Sequence, residues 1–154
     1  DADDTAKILA FRGVAAMAAE VPEKLVKIAM GQLFAVVTSA VKDDATVESG
    51  ALIASRLFEA DDEAAIGFLT ENPAVLIALA KAGTTTTLPL SARKSALEIV
   101  GAVGQIITHD EELAPSVQKV KAEIIKLVAK GLEDKKRLVR QAAGKCRHYW
   151  SLID

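Results

Sequence analysis

Apolar residues recur at intervals of three and four through most of this chain, and nowhere do they alternate with polar ones for long enough to suggest a strand. The clearest stretch is the C-terminal one. Val117, Val120, Ile124, Leu127, Val128 and Leu132 form one stripe along a helix that Pro115 can begin at its first position. After the charged break Glu133, Asp134, Lys135, Lys136, Arg137, a second stripe follows: Val139, Ala142, Ala143, Cys146, Tyr149, Trp150 and Ile153. A break this short leaves room only for an antiparallel neighbour, so the two stripes predict a helix hairpin.

Upstream, the same reading predicts an acidic start at Asp1, Asp3 and Asp4 followed by a helix over 6–19, then helices over 22–41 and 47–60. A short helical piece starts at Asp61-Asp62-Glu63 and runs to 69. Asn72-Pro73 caps a helix over 73–82 that stops at Gly83. Thr84 to Thr87, Leu88 and Pro89 break the helical pattern and predict the one extended loop, the natural place for mobility. Ser91 is placed to cap the next helix, which reaches about 108. The expectation is an all-α chain of about eight helices.

Arg140 and Ala143 have counterparts at Arg93 and Ala96, Glu48 and Ala51, and Arg12 and Ala15, with offsets of 47, 45 and 36 residues between positions 140, 93, 48 and 12. Spacings near ~40 to 47 residues suit an α-solenoid of HEAT-like antiparallel helix hairpins, each burying its neighbour's apolar face. Within the last unit, Asp134 can accept from open amides at a helix start. Arg140 can tie the turn to its neighbour, so this pair is the expected structural turn tie. Glu48 replaces the arginine in its unit, so any tie there must differ. The first helix has no preceding partner, and residues 1–154 therefore read as a single repeat domain cut from a longer array.

Composition narrows the function classes. With 51% hydrophobic but 4% aromatic residues, the core is aliphatic and alanine-rich. The longest uncharged run, residues 28–41, is 14 residues, short of the ~20 that cross a bilayer. Cys146 is alone, so neither a disulfide framework nor a zinc or iron-sulfur site can be built from this chain by itself, and a reducing compartment is expected. His109 and His148 lie in different units with no catalytic motif nearby; His109 after a helix end suits the dipole. Gly101 and Gly104 fall inside a helical stripe, where close packing explains them better than phosphate binding. No catalytic residue, metal or cofactor is expected.

Charge is uneven. Residues 115–154 hold ten Lys and Arg against four Asp and Glu, a net of +6, leaving nine against seventeen, or −8, for residues 1–114. A basic end on an acidic body can steer an acidic partner. Lys135, Lys136 and Arg137 at the turn, with Arg147, Tyr149 and Trp150 on the last helix, are the candidate partner-binding residues. Trp150, seven residues after Ala143 and four after Cys146, fits the core first and a partner contact second. Direct nucleic-acid binding is not expected, because the aromatics do not alternate with the basic residues as a stacking platform requires.

The run Asp134-Lys135-Lys136-Arg137-Leu138-Val139-Arg140, with Ala143, Arg147 and Trp150, resembles the C-terminus of the MMS-nineteen HEAT-repeat proteins. These are targeting adaptors of cytosolic iron-sulfur protein assembly. Gly144 and Tyr149 depart from that pattern. The resemblance covers about twenty residues and implies a non-catalytic scaffold in cytoplasm and nucleus. Its partners would be a small cysteine-bearing subunit of the MIP-eighteen type, a WD-repeat subunit and client iron-sulfur apoproteins such as DNA repair and replication enzymes. The competing expectation is a generic α-solenoid for transport cargo or nucleic acid.

Overall fold

A computed structural model describes residues 2–154; Asp1 of the acidic start lies outside them. The described residues form nine α-helices and one short 3-10 helix, with no strand. In order these are α1 (Ala2–Glu20), α2 (Glu23–Ile28), α3 (Met30–Ala40), α4 (Val47–Ala60), α5 (Asp62–Glu71), α6 (Pro73–Gly83), α7 (Leu90–Ile107) and α8 (Ala114–Ala129). The 3-10 turn Lys130–Glu133 then leads into α9 (Arg137–Ser151).

The ninth helix arises because the expected helix over 22–41 is broken. Ala29 has φ −90° and ψ 8°, well off helical ψ, and Gly31 follows with poor helix propensity, so α2 and α3 part there. The expected cap at Ser91 is also displaced: Pro89, with φ −58° and ψ 150°, precedes the first helical residue, and Ser91 sits exposed inside the first turn of α7. Asn72 does flank α6, but its amide donates to the Phe68 carbonyl at 2.8 Å and so closes the end of α5 instead of capping α6. Asp61 is a true side-chain cap, accepting from the Ala64 amide at 3.1 Å. The α5 and α6 axes meet at 103° across this corner, and no single helix among the described residues is long and apolar enough to cross a membrane.

Helix pairs α3/α4, α6/α7 and α8/α9 pack against each other. Further contacts join α1 to α4, α4 to α7, α7 to α9, and α6 to α8. One continuous core runs through them, with Ile53, Leu57, Leu76, Leu79, Leu97, Ile124 and Trp150 fully buried. Each such aliphatic side chain stabilises the fold by roughly 1.5–3 kcal/mol relative to exposure.

The most extensive helix contact, α7 on α9, depends on two glycines. A Cβ at Gly101 would lie 3.4 Å from Cys146 Cα, and one at Gly104 would lie 2.6 Å from Trp150 Cδ1. Close packing is therefore the role of both, as their place in a helical stripe suggests. The α1/α4 contact has a polar clasp. Arg56 Nε donates to the Ala18 carbonyl and Nη2 to the Val21 carbonyl, both at 3.0 Å, satisfying open carbonyls at the end of α1.

Candidate partner interface at the last helix

The break before α9 is a built turn. Asp134 ends the 3-10 helix in an extended conformation, φ −63° and ψ 145°, and only 8% of it is exposed. Its Oδ1 accepts from the Lys136 amide at 2.8 Å, holding the chain where α9 begins. Its Oδ2 pairs with Arg93 Nη1, from α7 and 41 residues earlier. Arg93 is itself 5% exposed, and its Nε donates to the Leu88 carbonyl at 3.1 Å. No buried side-chain nitrogen or oxygen among the described residues is left without a partner.

Arg140 plays a shorter-range part than expected. Its Nη1 donates to the carbonyls of Asp134 and Lys135, at 2.7 and 3.0 Å, so it fastens its own turn. The link to the neighbouring helix pair is made by Arg93, the residue that aligned with Arg140 one unit earlier. The available sequence signal was the separation of Arg93 and Asp134, close to the repeat spacing. It points to a contact between units instead of within one.

The loop before α7 belongs to the same corner. Thr85 Oγ1 donates to the Lys81 carbonyl at 2.8 Å, the Leu88 amide donates to the Thr85 carbonyl at 3.0 Å, and Leu88 packs on the core. Residues 84–89, expected as an extended loop, are thus a pinned turn whose Leu88 carbonyl orients Arg93.

On this frame Lys135, Lys136 and Arg137 stand exposed, and Leu138 beside them is 46% exposed. Leu138 lies in the run that carries the family resemblance but is not one of the candidate partner-binding residues. The signal for it was its position off the Val139 and Ala143 stripe, which sends an aliphatic side chain to solvent between cations. Three cations at the start of a helix also oppose its dipole, so helix stability does not account for them.

The remaining candidates divide. Arg147 is exposed and Tyr149 half-buried, its ring 5.6 Å from that of His148. Ten residues of helix separate Arg147 from Arg137, about 15 Å along the axis, so the two groups do not form one tight cluster. Trp150 is not a surface residue: it is 0% exposed, and its indole Nε1 donates to the Val100 carbonyl at 2.7 Å. Its assignment as a partner contact is corrected to a core residue of the α7/α9 seam, because the glycines of α7 leave room for its ring.

Burial pushes the Cys146 thiol up to about 12, which leaves it neutral and a poor nucleophile at ordinary pH. No group of three or more His, Cys, Asp or Glu among the described residues is placed to hold a metal ion. No family model, curated protein or solved structure matches the chain.

Proposed function

We propose that residues 1–154 are a non-catalytic adaptor domain, an α-solenoid of HEAT-like hairpins in the targeting complex of cytosolic iron-sulfur protein assembly. The observation that carries this reading is the Arg93–Asp134 pair. It is a buried tie between the turns of two successive helix pairs, placed immediately before the exposed Lys135, Lys136, Arg137 and Leu138. The α4/α7 and α7/α9 contacts, together with α6/α8, support a tandem arrangement in which each pair covers the next.

The turn offers one exposed aliphatic side chain directly after three exposed cations, on a backbone held by four hydrogen bonds or ion pairs from Arg93, Lys136 and Arg140. Such a surface binds by desolvating the apolar centre while the charges set orientation and encounter rate. Its complement is an acidic patch with an apolar pocket. In the adaptor reading that patch lies on the small MIP-eighteen-type subunit, with the WD-repeat subunit docking alongside and the complex serving apoproteins of DNA repair and replication.

The test is co-elution of the purified domain with the small subunit on a sizing column at micromolar concentration. A single shifted peak is expected. Separate elution of the two proteins would overturn the adaptor reading.

A further inference from the structure

A recess lies away from the basic turn, where α5 meets the end of α7 and the turn into α8. It is about 420 Å³, with an apolar floor of Ile66, Gly67, Ile106 and Leu113. Asp62, Glu63 and Asp110 line its edge. Asp62 Oδ1 accepts from the Glu63 amide at 2.8 Å and Asp110 Oδ1 from the Glu112 amide at 3.0 Å, so both carboxylates are held in place by one oxygen. None of the ion pairs among the described residues involves these three carboxylates.

Gly67 is the telling residue. Glycine inside a helix costs stability, and Gly50, Gly83, Gly104 and Gly131 repay that by admitting a neighbour to within 3 Å of where a Cβ would stand. At Gly67, as at Gly13 and Gly31, a Cβ would meet nothing within 4 Å, and Gly67 lines this recess. Its missing side chain therefore serves no packing inside the fold and keeps the recess open.

We propose that this recess docks a basic amphipathic peptide segment of another protein, an aliphatic side chain entering over Gly67 while lysines or arginines meet Asp62, Glu63 and Asp110. Charge complementarity selects this occupant: the unpaired carboxylates exclude acidic segments, and the apolar floor adds anchorage that a purely polar basic segment would not use. The recess shares no residue with the Lys135 turn, so the proposal stands or falls separately from the adaptor reading.

The probe is a fluorescein-labelled helical peptide of leucine and lysine, with leucines at i, i+3, i+4 and i+7, titrated with the whole chain and read by anisotropy. Saturable binding is expected, weakening as salt rises. A scrambled peptide of the same composition should bind at least about tenfold more weakly. Gly67→Leu should also weaken binding about tenfold or more while its circular-dichroism melt stays at or above that of the parent. Neutralising the edge with Asp62→Asn, Glu63→Gln and Asp110→Asn together should flatten the salt dependence. Undiminished binding by Gly67→Leu, equal binding of the scrambled peptide, or no saturation at millimolar peptide would each overturn the proposal. So would a concentration-dependent dimer that Gly67→Leu dissolves, since a second copy would then be the occupant.

Discussion

Replacing Arg93 by methionine tests what holds successive helix pairs together. Methionine keeps most of the buried volume, so the change isolates loss of the guanidinium. Asp134 would then be a carboxylate 8% exposed with only the Lys136 amide bonded to it, and the Leu88 carbonyl would lose its donor. Removing one partner of a buried ion pair costs roughly 3–5 kcal/mol, against a total stability of about 5–15 kcal/mol for a typical domain. The contrast is Lys94–Glu98, a pair at 3.6 Å whose side chains are 43% and 58% exposed. Lys94→Ala should cost no more than ~0.5 kcal/mol. Urea unfolding supplies both values, followed by far-ultraviolet circular dichroism and by the fluorescence of the single tryptophan, buried Trp150. Coincident transitions from the two probes would justify a two-state free energy. The double variant Arg93→Met with Asp134→Leu should recover a large part of the loss, because no unpaired charge remains. A cost below ~1 kcal/mol for Arg93→Met, or strict additivity in the double variant, would refute a load-carrying buried tie.

Reversing charge at Lys135, Lys136 and Arg137 to glutamate should weaken the proposed complex with the small assembly subunit on the sizing column and leave the urea midpoint nearly unchanged; an unaltered peak would remove these residues from the proposed interface. Gly104→Ala should destabilise by about 1–3 kcal/mol in urea, because its Cβ would stand 2.6 Å from Trp150 Cδ1. Gly67→Ala, with nothing within 4 Å, should instead stabilise by about 0.4–1 kcal/mol. Equal effects at the two sites would contradict the packing. Cys146 should resist a thiol reagent in the native state at pH 8 and react on unfolding. Its folded value, raised from 9.0 to about 12, means the native state keeps its proton while the unfolded chain loses it. Stability from this group is thus intact below pH 9 and declines toward pH 12, by up to about 1.4 kcal/mol per pH unit. Cys146→Ala should show a shallower alkaline decline; identical slopes would deny the shift.

Much of the helical framework was legible in the chain itself. Helix α4 begins at Val47 and ends at Ala60 as its periodicity predicts, α6 starts at Pro73 and stops at Gly83, and the charged break 133–137 spans the end of the 3-10 turn and the start of α9. These features depend on residues within one or two turns of each other, where periodicity, proline and glycine act through local backbone physics. The glycines at 101 and 104 were likewise legible as packing residues, because a glycine on an apolar stripe has few other uses. The chain also marked Arg140 and Arg93 by repetition and Asp134 by its place in the charged break.

What repetition alone left open was which arginine meets which carboxylate. Arg140 lies six residues from Asp134 and Arg93 lies 41 away, yet the distant one makes the buried pair, because α7 packs along α9 and carries it there. The same packing took Trp150 out of reach of any partner and turned Leu138 outward beside the basic residues. The approach of α5 to the end of α7 formed the recess over Gly67, whose walls come from segments some forty residues apart in the chain. Short-range patterns decide where helices start and stop. Which side chains are sealed between them and which face solvent depends on how whole helices approach one another, and no local pattern encodes that distance.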